Sequence, residues 1–560
     1  MGTGSPASLL TGVGKAEESQ YSACATPNSK LGDHSHQGEP TLNLTRRSFL
    51  SQISLAATSA LLPRSLSAYS AVSAPALVTT PLGKLRGVSS RDAIRNFRGI
   101  PFAQSPVGPL RFRPLQPPKP WSDVRDATRF AHAAIQPGAP NVPQSEDCLY
   151  LNLWSPSTPG PHPVFVWIHG GGYTGGQSFA PIFDGTPFAN EGIVLVTVAY
   201  RLGVFGFMDL SPLLGPEYAD SANNALRDLV QSLHWVQQNI SAFGGDPTRV
   251  TVGGESAGAK ATAALMALPE AQPLFHSAIS ESGGGERVLT STQAADVAHT
   301  FGDLWRRHHP TSTTAFNDLL TAPARDLIQT QQRVVAQSDI HFPFRPQIGP
   351  GSLLPQRPVD LVALVAAGSS KGKRLLLGSN RDESALFLGP HPTADPLQRD
   401  LGNLPLDRFN EVFAHYASLY PDMPAYQRRI RAVTAEEYWV PTVRLADAHT
   451  GAGGAAWMYR LDFTPTTGRM ANEAFHSEDL PFVWDKLNQT SAANPAAERL
   501  ANSMHAAWCA FILGQAPAAP HLPPWPEYNP TTRPTMILNL ESRIEQHPSE
   551  AELRLWDGIL

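Results

Sequence analysis

The stretch Val250–Leu268, VTVGGESAGAKATAALMAL, constrains the fold more than any other part of the chain. Its first half has β-branched residues and ends in glycine, and its second half has the small and apolar residues of a buried helix. Ser256 therefore falls on a tight turn between a strand and a helix. We expect Gly254 and Gly258 to remove side chains that would clash where the strand and the helix pack closely.

A G-x-S-x-G turn in this position resembles the nucleophile elbow of α/β-hydrolases, in which a strained backbone presents the serine hydroxyl to the substrate. The chain contains a second copy of the pattern, GSSKG at 368–372. That copy follows the apolar run VDLVALVAA and precedes KRLLLG, which is the order of a helix and then a strand. We therefore predict that Gly368 caps a helix and that Ser256, not Ser370, is the nucleophile.

The composition is that of a globular protein with a large core, because 42% of the 560 residues are hydrophobic and 16% are charged. A net charge of -5 gives no reason to expect a nucleic-acid partner. The three cysteines form no C-x-x-C pair and no H-E-x-x-H motif occurs, so we predict neither a metal site nor a cofactor. We also expect no stable membrane insertion, since no apolar run is long enough to span a bilayer. The sequence leaves the oligomeric state open.

The amino-terminal region has the order of a targeting signal. Residues 45–51, TRRSFLS, precede a short apolar run and a stretch of small residues, and this order resembles a twin-arginine export signal with Arg46 and Arg47 as its pair. The alternative for the segment is an amphipathic surface helix. We predict a disordered leader over 1–44, a signal over 45–74 and one catalytic domain over 75–560, located in the periplasm or outside the cell.

The rest of the chain alternates strand and helix patterns. VFVWIH and IVLVTVAY are apolar on both faces, as central strands covered by helices on both sides are. Residues 223–243 have apolar positions at helical spacing and lead directly into the strand before Ser256. Two largely helical insertions are predicted, at roughly 290–370 and 396–450. The pattern predicts an α/β protein.

Six motifs make a specific resemblance: EDCLYLN, HGGGY, YRLGVFGF, FGGDP, GESAG and FHSEDLPFVW. Together they resemble the type-B carboxylesterase family, which includes the cholinesterases and bacterial para-nitrobenzyl esterases, over roughly residues 77–545. The resemblance implies an α/β-hydrolase fold, with a mostly parallel central sheet flanked by helices and with helical lid insertions. It also implies serine-dependent hydrolysis of small-molecule carboxylic esters through an acyl-enzyme.

A serine hydroxyl needs a base within hydrogen-bond reach and a third group that orients the base. The resemblance assigns the base to His476 and the acid to Glu383, which complete a triad with Ser256. Asp382 stands beside Glu383 in NRDES, and we expect it to brace the loop through local backbone hydrogen bonds.

The resemblance also assigns an oxyanion hole, formed by the backbone N–H groups of Gly171, Gly172 and Ala257. Glu255 is expected in a buried polar network outside the triad. Four aromatic residues are candidates for the wall of the substrate gorge: Trp167, Tyr173, Phe179 and Phe387.

In the family that the chain resembles, the cysteine of EDCL commonly pairs with a cysteine about a dozen residues upstream. This chain has Ile135 there and no cysteine between, so we predict a free and partly buried thiol at Cys148. Lipases and thioesterases use the same triad, and non-catalytic adhesion proteins of the same family lack the serine. The presence of Ser256, Glu383 and His476 favours the ester hydrolase.

Overall fold

A computed structural model gives the structure of the protein and describes residues 74–90, 94–139, 141–310, 316–368, 371–487 and 494–560. The predictions for the leader, for the export signal with its two arginines, and for Ser370 concern positions outside these residues. The helix and strand bounds that follow apply to the described residues.

The strands alternate with helices along the chain. They are β1 (Ala74–Thr80), β2 (Gly83–Ser89), β3 (Arg95–Pro101), β4 (Arg125–Asp126), β5 (Tyr150–Ser155), β6 (His162–Ile168), β7 (Val194–Val198), β8 (Gly245–Glu255), β9 (Ser277–Glu281), β10 (Leu289–Thr290), β11 (Gln347–Ile348), β12 (Arg374–Asn380), β13 (Ala455–Leu461), β14 (Thr535–Leu538) and β15 (Arg543–Glu545).

One large twisted sheet takes all of these strands except β10 and β11. Its order is β1-β2-β3-β5-β7-β6-β8-β9-β12-β13-β14-β15, and β4 pairs with β2. Every pairing from β7 to β14 is parallel, whereas the pairings from β1 to β7 along this path and the last pairing, of β14 with β15, are antiparallel. The strands β6 and β7 are buried over almost their whole length, as the runs VFVWIH and IVLVTVAY predict.

Helices lie between the strands and at the edges of the sheet. They are α1 (Thr186–Asn190), α2 (Ser211–Leu214), α3 (Asn224–Asn239), α4 (Ala257–Met266), α5 (Ser291–His308), α6 (Ala324–Gln337), α7 (Leu361–Ala367), α8 (Ala385–Leu388), α9 (Leu406–Phe413), α10 (Tyr416–Leu419), α11 (Ala425–Thr434), α12 (Val440–Gly451), α13 (Leu480–Val483), α14 (Pro495–Ile512) and α15 (Glu550–Leu555). A π-helical turn, Ala435–Trp439, joins α11 to α12.

The two predicted helical insertions contain α5 to α7 and α9 to α12. The first insertion also contains a feature that its pattern did not predict, the short parallel pair β10–β11. Gly368 ends α7 in the left-handed conformation at φ 62°, as predicted from the helix-then-strand order around the second G-x-S-x-G copy.

Two apolar cores cover the sheet, and adjacent residues of one strand enter different cores. Val166 and Ile168 of β6 belong to the larger core, while Phe165 and Trp167 belong to the second, where the Trp167 ring lies 5.1 Å from that of Trp484. Among the described residues, no helix combines the length and the apolar character needed to cross a membrane.

Both cysteines that the structure describes, Cys148 and Cys509, are free and buried. Cys148 and Ile135 line the same small cavity. The prediction of a free thiol at Cys148 is confirmed, but the residue is almost fully buried, where partial burial was predicted.

Candidate active site

Ser256 occupies the turn between β8, which ends at Glu255, and α4, which begins at Ala257. Its backbone lies at φ 56° and ψ -123°, a conformation that costs a non-glycine residue about 1–3 kcal/mol. Two hydrogen bonds hold the turn: Ser256 N donates to Glu281 O at 2.9 Å, and Lys260 N donates to Ser256 O at 3.0 Å. The strained turn predicted from the sequence is present.

The two glycines of the turn are required by the close approach of β6. A Cβ atom at Gly254 would lie 2.4 Å from Ile168 O, and one at Gly258 would lie 2.0 Å from the same oxygen. Both distances are far below 3.0 Å, and Cβ atoms in proteins essentially never lie closer than that to a non-bonded atom. The glycines therefore allow the end of β6 to pack directly against the serine turn, as expected.

The glycine loop after β6 lies beside Ser256. A Cβ atom at Gly170 would lie 3.0 Å from Ser256 Cβ, and Gly171 and Gly172 have φ angles of +113° and +61°. Among the described residues, the N–H groups of Gly171 and Gly172 donate to no protein acceptor. Ala257 is the first residue of α4, so its N–H has no acceptor within the helix. The loop that carries Gly171 and Gly172 thus begins beside the serine turn, and the N–H groups of these two glycines and of Ala257 make no hydrogen bond among the described residues.

Glu383 and His476 are in direct contact. Glu383 Oε2 lies 2.5 Å from His476 Nδ1, and Glu383 Oε1 accepts a 2.6 Å hydrogen bond from Asn380 N. Glu383 follows β12 and His476 follows β13, and because these strands are parallel neighbours their carboxyl ends meet at one edge of the sheet. Both side chains are buried, and burial raises the pKa of Glu383 and lowers the pKa of His476.

Asp382 joins the loop of the acid to the loop of the histidine. Its carboxylate accepts a hydrogen bond from Ala474 N at 3.0 Å and pairs with Arg381 at 2.7 Å, and Asp382 N donates to Ala474 O at 2.9 Å. Asp382 braces the loop as expected, but through hydrogen bonds to the backbone of Ala474, 92 positions away on the segment that carries His476, and not through local backbone bonds.

Glu255 contacts the histidine more closely than the sequence analysis expected. Glu255 Oε1 lies 3.2 Å from His476 Nε2 and accepts a 2.6 Å hydrogen bond from Ser477 Oγ. Burial raises the pKa of Glu255 to about 7, so the pair can hold a proton between Oε1 and Nε2 near neutral pH. Among the described residues, no hydrogen bond joins Ser256 to His476, and Nε2 faces Glu255.

One of the four predicted aromatic wall residues contacts the triad. The Phe387 ring lies 5.0 Å from the His476 ring. The prediction was wrong for Trp167, which belongs to the second core because consecutive residues of β6 point to opposite faces. Tyr173 packs against Phe207 at 4.4 Å, and Phe179 stacks on Phe130 at 5.2 Å.

A buried cluster of charges beside the triad was not predicted. Lys260 Nζ lies 3.2 Å from Glu437 Oε1, Arg287 pairs with the same oxygen, and Tyr438, next to Glu437, has its ring 5.1 Å from that of His476. Burial lowers the pKa of Lys260 to about 8. The one signal in the sequence is that Lys260 is the only charged residue in the small, apolar helix α4, all of which is buried.

The profile of the carboxylesterase family matches residues 74–556. The chain belongs to the carboxylesterase family. The expected resemblance is thereby confirmed, and so is the α/β-hydrolase fold, since the mostly parallel sheet flanked by helices is that of the family's solved members.

Full-length esterases are similar to this carboxylesterase in sequence. The para-nitrobenzyl esterase of Bacillus subtilis (strain 168) is 37% identical over 501 residues, which cover 85% of this chain and 97% of that protein. The fumonisin B1 esterase of Sphingopyxis macrogoltabida is 33% identical over 477 residues, which cover 80% and 84% of the two chains.

Solved structures agree. A PNB esterase structure superposes with a TM-score of 0.75 at 35% identity, and the Geobacillus stearothermophilus carboxylesterase at pH 6.2 superposes with a TM-score of 0.75 at 34% identity. Each match covers 86% of this chain and 99% of the solved chain. The protein is therefore a carboxylic-ester hydrolase, and a small-molecule ester is its substrate.

Proposed function

We propose that the carboxylesterase hydrolyses its substrate through an acyl-enzyme on Ser256, with His476 as the general base and Glu383 as the acid that orients it. The observation that carries the proposal is the 2.5 Å contact between Glu383 Oε2 and His476 Nδ1 at the strand ends beside the strained Ser256 turn. A carboxylate on Nδ1 fixes the imidazole tautomer that leaves Nε2 able to accept a proton.

In the first half of the reaction, Ser256 Oγ forms a bond to the carbonyl carbon while His476 Nε2 takes the hydroxyl proton. The carbonyl oxygen becomes an anion, and the N–H groups of Gly171, Gly172 and Ala257 are the donors for it. Each such donor contributes about 3–4 kcal/mol to transition-state stabilisation. Collapse of this intermediate breaks the bond to the alcohol oxygen, which receives the proton from Nε2.

In the second half, water attacks the acyl carbon of the Ser256 ester. His476 takes a proton from the water and returns one to Ser256 Oγ as the acid leaves. The net reaction consumes one ester and one water and gives one acid and one alcohol.

A fluorophosphonate probe tests the nucleophile. We expect the probe to modify the peptide that contains Ser256 and to stop ester hydrolysis, and we expect no modification of the peptide that contains Ser370. Ser256→Ala should abolish both labelling and turnover, while Ser370→Ala should leave both unchanged. Labelling on the Ser370 peptide, or turnover that survives Ser256→Ala, would reject the assignment.

Export through the twin-arginine route is a second part of the proposal. It rests on the sequence order of Arg46, Arg47, the short apolar run and the small residues that follow. Lysine at both arginines should retain the protein in the cytoplasm as a folded, active esterase. Normal recovery of this double variant from the periplasm or the medium would reject the route.

A further inference from the structure

One of the six sequence motifs, YRLGVFGF at residues 200–207, contributes no residue to the triad or to the oxyanion hole. The motif follows β7, which is the parallel neighbour of β6 in the sheet. The glycine loop, residues 169–176, follows β6. The two segments therefore leave the sheet side by side, and the motif is placed to contact the loop that carries Gly171 and Gly172.

The glycine loop has a backbone that its own hydrogen bonds do not stabilise. Gly171, Gly172 and the next residue, Tyr173, have φ angles of 113°, 61° and 62°. A positive φ at a non-glycine residue such as Tyr173 is unfavourable, and it persists only where the surrounding structure fixes it. Among the described residues, the N–H groups of Gly171 and Gly172 make no hydrogen bond. Contacts with other segments are therefore needed to maintain the loop.

Tyr200 holds the start of the glycine loop. Its hydroxyl donates to His169 O at 2.7 Å, and its ring stacks on the His169 ring with the ring centres 4.5 Å apart. Burial raises the pKa of Tyr200 well above its ordinary value and lowers the pKa of His169 to about 4. Near neutral pH the hydroxyl thus keeps its proton and the imidazole is uncharged. His169 Nδ1 donates to Gly170 O at 2.8 Å, which extends the support to the next residue of the loop.

Gln136 holds the end of the glycine loop. Its side-chain oxygen accepts from Gly176 N at 2.9 Å and its side-chain nitrogen donates to Gly176 O at 2.8 Å, so one side chain satisfies both backbone groups. The same nitrogen donates to Ala134 O at 3.1 Å, which fixes the orientation of the amide. Between the two ends, Gly203 N of the motif donates to Tyr173 O at 2.8 Å.

The two ends of the glycine loop lie against each other. A Cβ atom at Gly176 would lie 2.2 Å from Gly170 O and 2.4 Å from His169 Nδ1. The loop is thus a closed turn, and Gly171 and Gly172 lie between its two held ends. A displacement of either end should therefore move their N–H groups, whereas the triad residues are held by other elements.

We propose that Tyr200 and Gln136 are positioning residues for transition-state stabilisation: each fixes one end of the glycine loop, and together they orient the N–H groups of Gly171 and Gly172 toward the carbonyl oxygen. The proposal rests on the proposed acyl-enzyme function of Ser256. Donors that are fixed before the reaction need no reorganisation as the oxygen becomes an anion, so their alignment affects the transition state more than the bound ester. Loss of either contact should lower kcat and leave KM nearly unchanged.

Two substitutions release the two ends of the loop separately. Tyr200→Phe removes the hydroxyl and keeps the ring that stacks on His169. Gln136→Met removes both hydrogen bonds to Gly176 and keeps a side chain of similar volume. We expect each variant to lower kcat for para-nitrophenyl acetate by about tenfold to hundredfold, with KM changed by less than about threefold, because a small misplacement of catalytic groups has an effect of this size.

Tyr528→Phe and Gln237→Met are the matched controls. The Tyr528 hydroxyl donates to Asp447 Oδ1 at 2.7 Å, and Gln237 Nε2 donates to Pro247 O at 2.9 Å and Leu274 O at 3.0 Å. These groups lie near the amino ends of parallel strands, opposite the candidate site, since Tyr528 N donates to the second residue of β13 and Pro247 is the third residue of β8. Both controls should keep kcat within about twofold of the wild type. A loss in the controls equal to that in Tyr200→Phe and Gln136→Met would overturn the proposal.

Inhibition by an alkyl trifluoromethyl ketone separates positioning from general structural support. Ser256 Oγ forms a bond to the ketone carbon, the serine proton passes to His476 Nε2, and the ketone oxygen becomes an anion in the place of the oxyanion. The matching methyl ketone has no activated carbonyl and binds without this bond. We expect Tyr200→Phe and Gln136→Met to raise the inhibition constant of the trifluoromethyl ketone by the factor by which kcat falls, and to change that of the methyl ketone by less than about threefold. Equal changes for both ketones, or no change for either, would overturn the proposal.

Fluorophosphonate labelling, followed to its end point, counts the active sites, so kcat is expressed per labelled Ser256 and a partly folded variant is not mistaken for a slow one. If one of the two variants gives no folded protein, the other decides. Wild-type kcat and inhibition constants in the variants, with labelling and turnover in the wild type, would reject the positioning roles alone. Absence of both labelling and ester turnover in the wild type would reject the proposed function.

Discussion

At the scale of single residues, two adjacent carboxylates lie near His476, and each has different partners. Glu383 contacts His476 Nδ1, whereas Asp382 contacts Arg381 and the backbone of Ala474. Because Asp382 and Glu383 have separate partners, substitution of each in turn tests which carboxylate supports His476 in the proposed mechanism.

We expect Glu383→Gln to lower kcat by about three to four orders of magnitude, because the amide can neither fix the tautomer of His476 nor stabilise its charged form. Asp382→Asn should lower kcat by less than about tenfold, since an asparagine oxygen can still accept from Ala474 N. Steady-state kinetics on both variants, with circular dichroism to confirm folding, makes the comparison. A larger loss for Asp382→Asn in folded protein would reverse the assignment.

Glu255 provides a second test at this scale, through the pH profile. A proton held between Glu255 Oε1 and His476 Nε2 occupies the atom that accepts the serine proton in the proposed mechanism, so kcat/KM should rise with pH as this proton leaves. The Glu255 charge raises the pKa of His476, against the lowering by burial. Glu255→Gln removes that charge, so the rise in kcat/KM should move to lower pH.

Ser477→Ala is the control for this variant, because it removes a hydrogen bond to Glu255 but keeps the carboxylate. Since the charge of Glu255 is unchanged in Ser477→Ala, the pH at which kcat/KM rises should move less than in Glu255→Gln. A rise that moves to higher pH in Glu255→Gln would show that the carboxylate does not share the proton of His476.

At the scale of elements, the contact between the end of β6 and the start of α4 sets the geometry of the turn. A Cβ atom at Gly258 would meet backbone, Ile168 O at 2.0 Å, and backbone cannot move aside as a flexible side chain can. At Gly175 the nearest atom is the side-chain oxygen of Gln136 at 3.5 Å, an ordinary contact.

Gly258→Ala should therefore lower the free energy of unfolding by more than about 3 kcal/mol or prevent folding, because β6 and α4 must separate to admit the methyl group. Gly175→Ala should change it by less than about 1 kcal/mol. Chemical denaturation of both variants provides the measurement. A Gly258→Ala protein as stable as Gly175→Ala would show that the strand and helix are not tightly packed at this point.

The elements around the turn could be predicted because their signals are local. The strand, the serine turn, α4 and the HGGG loop are each encoded in fewer than twenty consecutive residues, with glycines where the backbone requires them. The charged cluster could not be predicted, because Lys260, Arg287 and Glu437 come from three segments that only the tertiary fold brings together. Trp167 was wrongly predicted to line the gorge, because its strand is apolar on both faces and the pattern does not show which side chains enter which core.

At the scale of the whole molecule, the parallel part of the sheet brings the residues of the candidate site together. Ser256 follows β8, Glu383 follows β12 and His476 follows β13, while the glycine loop follows β6, and these strands run in one direction. Parallel strands present their carboxyl ends at one edge, so residues more than 200 positions apart meet there. The cores on the two faces of the sheet hold this edge in place without a disulfide among the described cysteines.

The thiol content of the purified protein tests whether the fold lacks a disulfide, and it also tests whether the amino terminus is processed. Cys148 and Cys509 are 1% and 2% exposed, and burial raises the pKa of both thiols, so neither should react with a thiol reagent in the folded state. After denaturation without reductant, a protein that begins near residue 75 should release two reactive thiols, because its only cysteines are these two. A chain that keeps its leader should release three, since Cys24 lies in it. Cys148→Ala should lower either count by one, which calibrates the assay. Fewer than two thiols in the denatured protein would mean that a disulfide has formed and that packing alone does not account for the stability of the fold.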